Sequence, residues 1–444
     1  MNAGSTRLKT HVAWTFATRM LMIVNSVAAG IIVAHWLGAK GVGQLAVINV
    51  AVATVVQLGS FGLPSANTYF IAQDPGTLRT AAVNSAMVAL FLGGLLALGL
   101  SALAEFRPDW FGFVSSDLIR VAAVSIPSQL ITLIGLNILL AVGKIREFNL
   151  LDLAAQSFVL INALLALIVL GRGLKTLVVL NTATAILVSV VVGVLIVMAA
   201  RRLARSQWRV DGSLLARMIR YGLKFHISIL AGAIIFRADL LVVNHFIGAD
   251  EAGVYSVATQ FGMLLMLLPG VIATLLFPRV TAEQDARGET TSLVTRYTAF
   301  VTFFCCLAAV PFSFLLPLIY GAEFTESTRL LLMLLPGVYL VGLESVLVQH
   351  FNALGLPRVI PVYWIVTLVV NLALVFSLVP RMGAQGAALA STVSYALIFA
   401  LVTRQFLAST GQSFSNVFIL RRNEMRQLMS LSTFVGAAGR SLRG

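Results

Sequence analysis

Charged residues are scarce in this chain, and acidic residues are scarcer than basic ones. Only 11% of its 444 residues are Asp, Glu, Lys or Arg, whereas a soluble domain carries about 25%. Hydrophobic residues make up 59% of the chain and come in long blocks separated by short polar stretches. Because about 20 apolar residues cross a hydrocarbon core about 30 Å thick, the composition excludes a soluble protein and predicts an integral membrane protein. The blocks lack the alternating pattern of membrane strands, which excludes a β-barrel.

Cysteines and nucleotide-binding motifs are also nearly absent. The only two cysteines, Cys305 and Cys306, are adjacent, and neighbours in a helix cannot form an ordinary disulfide. No G-x-x-x-x-G-K-[ST] motif occurs, which argues against nucleotide hydrolysis through a P-loop. No group of His, Cys, Asp and Glu has metal-ligand spacing, and no Ser-His-Asp arrangement is evident. We therefore expect no enzyme, no cofactor and no bound metal.

The apolar blocks predict twelve membrane-spanning helices. They lie near residues 11–36, 42–71, 78–104, 116–142, 147–171, 174–200, 217–246, 252–280, 292–320, 326–354, 358–380 and 383–407. An even number of spans puts both termini on one side. Most of the 31 Lys and Arg residues lie in the termini and in the connections on that side. The positive-inside rule then predicts cytoplasmic termini, and anionic lipid headgroups account for the net charge of +14 without nucleic acid.

A sequence repeat divides the chain into two similar halves. The segment "HWLGAKGVGQLAV" begins at His35, and "HFIGADEAGVYSV" begins at His245. The shared residues are Val33, His35, Gly38, Ala39, Gly43 and Val47, which recur as Val243, His245, Gly248, Ala249, Gly253 and Val257. Six spans per half give parallel repeats, an arrangement typical of transporters with a cavity between two lobes. We predict lobes at 1–200 and 217–407, a cytoplasmic amphipathic linker at 201–216 and a basic cytoplasmic tail at 408–444.

The repeated segment contains a G-x-G-x-x-A pattern that resembles a dinucleotide-binding loop. Gly41, Gly43 and Ala46 form that pattern. A Rossmann loop follows a strand and has an acid about 20 residues further on. Here a membrane helix precedes the pattern, and the next acid is Asp74. We therefore interpret both copies as tight hairpins between spans, in which glycine ends a helix and reverses the chain.

Basic residues within the spans are candidates for binding an anionic substrate, since charges in a bilayer are costly. The candidates are Arg19 in span 1 and Arg220, Lys224 and Arg237 in span 7. Two structural alternatives stay open. Arg220 and Lys224 could reach lipid headgroups with their long side chains, and Arg19 could pair with an acid on another span.

Two acids lie deepest in the predicted spans and are candidates for coupling transport to an ion. They are Asp239 in span 7 and Glu344 in span 10. A buried carboxyl group can exchange a proton, or it can bind Na⁺. Either acid could also be purely structural. At 100° per residue, Arg237 and Asp239 lie on different faces of span 7, so a kink or a neighbouring helix must accommodate one of them.

Two segments of the second half resemble a known family. They are "RADLLVVNHFIGADEAGVYSVATQFG" at Arg237–Gly262 and "VVNLALVFSLVPRMGAQGAALASTVSYAL" at Val369–Leu397. The segments are similar to the seventh span and to the span 11–12 hairpin of the polysaccharide transporter family, the Wzx-like flippases of lipid-linked oligosaccharides. This family belongs to the multidrug/oligosaccharidyl-lipid/polysaccharide exporter superfamily. The resemblance implies an all-α polytopic protein with twelve transmembrane helices in two parallel six-helix lobes around a central cavity, the MATE-like exporter fold.

The resemblance also implies a function. The expected substrate is an undecaprenyl-diphosphate-linked oligosaccharide, moved from the cytoplasmic to the outer leaflet of the bacterial inner membrane for surface polysaccharide synthesis. The expected partners are membrane lipids, a polysaccharide polymerase and assembly proteins. A cation-coupled multidrug exporter of the same fold is the alternative, although such exporters tend to line their cavities with acids. A non-transporting scaffold in a glycan assembly complex is a third interpretation.

Overall fold

The described part of the chain is helical nearly throughout. The computed structural model describes residues 3–112, 114–203, 207–355, 357–420 and 424, with side chains from residue 18 onward except at 202, 203 and 278. The first half contains helices α1 (Ala3–Gly59), α2 (Leu63–Gln73), α3 (Leu78–Phe106), α4 (Ser116–Ala123), α5 (Ile126–Ala141), α6 (Ile145–Ala163) and α7 (Leu174–Leu203). The second half contains α8 (Gly212–Ile235), α9 (Ala238–Phe246), α10 (Ala249–Leu265), α11 (Leu267–Glu283), α12 (Glu289–Ser313), α13 (Leu316–Tyr320), α14 (Thr325–Leu354), α15 (Val359–Met382), α16 (Ala384–Thr410) and α17 (Phe414–Phe418).

The number of membrane spans depends on how the longest helix is counted. Eleven stretches of the described residues are long and apolar enough to cross a membrane, and the first, Thr18–Gly59, has 42 residues. At 1.5 Å per residue it would be about 63 Å long, twice the hydrocarbon thickness. Gly38 interrupts it with φ 65° and ψ −174°, values that favour glycine. Residues 18–37 and 39–59, the first and second arms of α1, therefore belong to two different spans, which gives twelve spans within the described residues.

The same turn occurs in the second copy of the repeat, where Gly248 has φ 135° and separates α9 from α10. The two turns lie at one end of the helix bundle, which we name the hairpin end. The other end, at which α16 ends and α17 packs, is the termini end. The prediction of hairpins is confirmed for Gly38 and Gly248. It is wrong for Gly43 and Gly253, which lie inside helices and contact each other's segments, as described below.

Several spans are broken into two helices near their middle. Span 2 breaks between Gly59 and Leu63, span 7 between Ile235 and Ala238, and span 8 at Met266. The break in span 7 puts Arg237 between α8 and α9, with φ −137° and ψ −24°. This is the kink that Arg237 and Asp239 require, and the prediction is confirmed.

The connection between the halves ends in a capped helix. Asp211 is the N-cap of α8 and accepts hydrogen bonds from the backbone N–H groups of Leu214 and Ser213. These bonds lower the pKa of the Asp211 carboxyl group below its usual value, and the bond from the Leu214 N–H has the largest effect. Because α8 continues from Gly212 to Ile235 without a break, the last residues of the predicted linker belong to the span-7 helix.

The last described helix, α17, packs onto the second half. Val417 of α17 is fully buried against the core that includes Phe351 and Phe406. Beyond it, Glu424 forms an ion pair with the buried Arg296 of α12 at 3.0 Å. The predicted basic tail at 408–444 falls largely outside the described residues. The division into lobes at 1–200 and 217–407 with a separate tail stays a prediction.

Candidate functional site

Two of the cavities between the halves have polar residues in their lining, and one lies toward each end of the bundle. The hairpin-end cavity has a volume of about 500 Å³ and borders both arms of α1, α6, α7 and the second half's α8, α9 and α10. Its polar lining is formed by Ser26, Asn49, Asn181, Arg237, Ser256, Thr259 and Gln260. Amide and hydroxyl groups of this kind both donate and accept hydrogen bonds, as a sugar does.

The termini-end cavity is larger and more aromatic. It has a volume of about 730 Å³ and lies mainly between the span-2 region and α8, α14 and α15. Its aromatic lining consists of Tyr221, Phe225, Phe236, Phe277 and Trp364. Three amide side chains, those of Gln57, Gln349 and Asn352, add hydrogen-bonding groups. Polar atoms among large apolar rings are typical of small-molecule sites.

Arg237 borders both cavities. Ala233 and Phe236 accompany it in both linings, so the two spaces meet at the break in span 7. Among the described residues that line them, Arg237 alone carries a formal charge. Its guanidinium group forms no ion pair within the described residues. A guanidinium group without an ion-pair partner in the described residues has N–H groups that can form bidentate hydrogen bonds to an anion, so Arg237 stays a candidate for substrate binding.

Asp239 faces away from this junction into the second half. It is only 2% exposed, and its carboxylate accepts hydrogen bonds from the Tyr255 and Ser391 hydroxyl groups and from the backbone N–H of Leu240. These bonds join span 7 to spans 8 and 12, so the carboxylate already has three donors. The predicted alternative of a structural role with neighbouring spans fits this geometry.

Glu344 is equally buried but lacks such partners. It is 2% exposed on α14, and within the described residues its Oε1 atom has no hydrogen-bond partner. It lines neither cavity. A buried polar atom without a partner is costly, and a carboxyl group can lower that cost by binding a proton or a cation.

Arg19 is paired with an acid of span 5. Its Nη1 atom lies 2.9 Å from Asp152 Oδ2, and the two side chains are 36% and 22% exposed. Arg19 lines neither cavity. The geometry therefore favours the alternative in which Arg19 links two helices, and substrate binding by Arg19 remains only a prediction.

Arg220 and Lys224 are exposed on α8. Neither lines the two cavities, although their neighbours Tyr221 and Phe225 do. This position suits side chains that reach lipid headgroups. Of the four predicted substrate-binding cations, the structure thus brings only Arg237 to the cavities.

Most of the cavity lining is uncharged, so the high cost of a charge within a bilayer gives no signal for it in the sequence. Gly253, Ser256, Gln260 and Met263 follow the spacing of one helix face, and the last three line the hairpin-end cavity. The first three residues of that stripe are small or polar, and they were the available signal. The partners of Asp239 had no signal in the sequence, because Tyr255 and Ser391 are distant from it along the chain.

At the hairpin end the two halves are in backbone contact. A Cβ atom on Gly43 would lie 1.8 Å from the carbonyl oxygen of Ala249, and one on Gly253 would lie 2.0 Å from that of Ala39. Gly43 and Gly253 are equivalent positions of the repeat, as are Ala39 and Ala249. We name these four residues the hairpin-end seam. Glu323 adds a bond across the halves by accepting from the Ala39 N–H at 2.7 Å.

Comparison with known proteins finds a family and several relatives. The family of polysaccharide biosynthesis proteins matches residues 32–329. A low-salt glycan biosynthesis flippase of Haloferax volcanii is 21% identical over 401 residues, which cover 85% of this chain and 80% of that protein. An O-antigen transporter of Shigella flexneri is 23% identical over 183 residues, 40% of this chain and 43% of that protein.

Solved structures share the fold. The lipid II flippase MurJ in an inward closed conformation is similar with a TM-score of 0.73 at 14% identity, over 89% of each chain. An inward-facing MATE family multidrug resistance transporter of the MOP superfamily is similar with a TM-score of 0.67 at 16% identity, over 90% of this chain and 99% of that one. The predicted fold class, an all-α polytopic protein with the MATE-like exporter fold, is confirmed.

Proposed function

The chain belongs to the family of polysaccharide biosynthesis proteins, and from this membership we propose that it is a flippase for a lipid-linked oligosaccharide. It moves the glycan head across the bilayer while the lipid tail stays in the membrane. The proposed carrier lipid is undecaprenyl diphosphate, and the product serves surface polysaccharide synthesis. The protein acts as a transporter and not as an enzyme.

The observation that carries this proposal is Arg237 at the junction of the two cavities. A diphosphate left ionised in hydrocarbon would cost tens of kcal/mol. Each sugar hydroxyl without a partner would add about 4–8 kcal/mol on the cyclohexane scale. In the protein, a cationic side chain replaces the water around the phosphate. Amide and hydroxyl groups replace the water around the sugar.

The position of Arg237 suits alternating access. The diphosphate can stay near one cation while the halves rock, because Arg237 borders the space on either side of the junction. As the halves rock, the sugar moves from the termini-end cavity to the hairpin-end cavity. A single site between two lobes that opens to each side in turn is the general arrangement of transporters built from repeats.

The charge of the lining distinguishes this proposal from the multidrug exporter, the alternative with the same fold. A cavity for cationic drugs needs acids to neutralise them. Within the described residues, neither cavity is lined by Asp or Glu, and both are lined by an arginine. A scaffold that transports nothing would need no such cavities. The lining therefore favours an anionic cargo.

The proposed orientation follows from the positive-inside prediction, and the proposed membrane follows from the family. The chain is a multi-pass membrane protein. We propose the bacterial inner membrane, with the termini end at the cytoplasm and the hairpin end outside. Loading then takes place at the termini end, where the aromatic cavity lies, and release takes place at the hairpin end. A polymerase and assembly proteins that consume the released glycan are proposed partners.

Reconstitution tests the function directly. Purified protein in liposomes, with glycan lipid extracted from the source cells, should expose the glycan to a glycosidase added outside. Protein-free liposomes should leave about half of the glycan protected, because half of the lipid starts in the inner leaflet. Equal protection with and without the protein would contradict the proposal.

If an ion drives the cycle, we propose that Glu344 binds it in preference to Asp239. Asp239 already accepts three hydrogen bonds, whereas Glu344 has an oxygen without a partner in the described region. Buried carboxyl groups of this kind exchange protons or bind Na⁺ as their surroundings change. The opposing view is passive export, in which polymerisation outside removes the product.

An imposed gradient separates these alternatives. A tenfold H⁺ or Na⁺ gradient corresponds to about 1.4 kcal/mol and should change the ratio of outer to inner glycan lipid up to about tenfold. Glu344→Gln should remove this response, because glutamine keeps the shape and loses the titration. Glu326→Gln, at an exposed position of the same helix, is the matched control. If neither gradient changed this ratio in the unaltered protein, passive export would be the remaining explanation.

A further inference from the structure

One wall of the hairpin-end cavity carries a hydrogen bond between the halves. Ser26 and Gly30 lie one turn apart on the first arm of α1, and both line the cavity. Gln260 of α10 donates a hydrogen bond from Nε2 to Ser26 Oγ at 3.0 Å. The bond joins residues from different halves, so it must break when this end opens.

Beside this bond lies a buried hydroxyl group that the fold does not use. Tyr320, the last residue of α13, is 1% exposed, and within the described residues its Oη atom has no hydrogen-bond partner. Its ring packs against Phe261 and Phe324, contacts that phenylalanine would make equally well. An unpartnered buried hydroxyl destabilises a protein, so packing gives no reason for tyrosine here.

The absence of a side chain at Gly30 leaves this hydroxyl facing the other half. A Cβ atom on Gly30 would lie 3.2 Å from Tyr320 Oη and 3.5 Å from Gln260 Oε1. Tyr320 and Gln260 thus face the same point on the first arm of α1. Separation of the halves at this point would free the two side chains, together with the Ser26 hydroxyl, for a ligand in the opened cavity.

We propose that Ser26, Gln260 and Tyr320 form a subsite for the hydroxyl groups of an uncharged sugar, exposed when the hairpin end opens. The inference rests on the proposed function and names the part of the cargo that this wall binds. A sugar hydroxyl both donates and accepts, the glutamine amide offers both functions, and the tyrosine hydroxyl donates. None of the three carries a charge, so the phosphate stays with Arg237.

The subsite also compensates for opening the seam. The hydrogen bond between Gln260 and Ser26 is lost on opening, and bonds to the sugar replace it. Tyr320 gains a partner that it lacks in the closed arrangement. The glycan therefore stabilises the open hairpin end more than the closed one, which is the differential binding that shifts such an equilibrium.

Tyr320→Phe tests the subsite, because it removes one oxygen that has no partner in the described residues. In proteoliposomes, the glycan lipid concentration that gives half-maximal flipping should rise roughly 2- to 10-fold, the effect of one neutral hydrogen bond. The melting temperature should stay the same or rise. Gly30→Ala, which fills the gap, should act in the same direction. Tyr339→Phe, at a tyrosine that lines neither of the two cavities, is the control and should change neither value.

Sugar-free undecaprenyl diphosphate distinguishes this inference from the proposed function. As a competitor, it should inhibit glycan-lipid flipping equally in the unaltered protein and in Tyr320→Phe, because it binds through the phosphate. Unchanged half-maximal concentrations in Tyr320→Phe would overturn the subsite and leave the flippase intact. A lowered melting temperature with equal loss of affinity for both lipids would also overturn it, since the hydroxyl would then be structural. No flipping by the unaltered protein would overturn the proposed function itself.

Discussion

Replacing Arg237 with alanine should nearly abolish flipping of the glycan lipid while leaving the protein folded. Removing one partner of a desolvated charge pair costs about 2–5 kcal/mol, which at about 1.4 kcal/mol per factor of ten corresponds to roughly 30-fold to more than 1,000-fold. Arg237 has no ion-pair partner within the described residues, so its removal leaves no buried acid unpaired. The rate is measured in proteoliposomes, and the fold is checked by the melting temperature of the purified protein.

Two further variants define what the charge does. Arg237→Lys should retain part of the activity, because it keeps the charge and loses the bidentate geometry. Arg381→Ala removes an exposed arginine whose hydrogen bond, within the described residues, goes to a carbonyl of its own helix, and it should flip normally. Normal flipping by Arg237→Ala, at normal melting temperature, would remove the main support for the phosphate site at the junction.

Much of the fold could be predicted from the sequence because its determinants are local. Apolar runs define spans, and glycine with positive φ marks the two hairpins at Gly38 and Gly248. The different helix faces of Arg237 and Asp239 require a break in span 7, and the break is present. The family resemblance, based on residues 237–262 and 369–397, is confirmed by the match to residues 32–329.

The site was harder to predict because it depends on which helices meet. Arg19 and Asp152 were both recognisable as charges within spans, but their pairing at 2.9 Å is a matter of tertiary packing. Likewise, only the packing shows that Arg237, and neither Arg220 nor Lys224, borders the cavities. Gln260 and Tyr320 carry no charge, so the cost of burying a charge gives no signal for either residue in the sequence.

The repeated glycines show both what could be predicted from the sequence and what depends on tertiary packing. The sequence established that Gly43 and Gly253 are equivalent, and a turn was the simplest interpretation. In the structure each one lies against a backbone carbonyl of the other half. A symmetric contact follows from the repeat itself, because two similar segments related by an axis along the membrane normal meet at that axis. Small residues allow helix backbones to approach closely in membranes, so this seam closes the hairpin end more tightly than any pair of larger residues could.

Gly43→Ala should therefore force the hairpin end open and stop the transport cycle. The added Cβ atom would lie 1.8 Å from the Ala249 carbonyl oxygen, an overlap with backbone that no rotamer can relieve. Overpacking costs about 1–3 kcal/mol or more, which should shift the balance between closed and open states by roughly 5- to 150-fold. The shift is measured as faster labelling of a cysteine at Ser256, which lines the hairpin-end cavity, by an impermeant thiol reagent in a protein with Cys305 and Cys306 replaced by serine.

The equivalent position and a matched glycine complete the experiment. Gly253→Ala should reproduce the effect, because its Cβ atom would lie 2.0 Å from the Ala39 carbonyl oxygen. The double variant should be labelled little faster than either single variant, since either change already separates the same seam. Gly94→Ala, where a Cβ atom meets nothing within 4 Å, should label and flip like the unaltered protein. If Gly43→Ala and Gly253→Ala labelled as slowly as Gly94→Ala and flipped at the same rate, the halves would not separate at this seam, and the cargo would have to leave by another route.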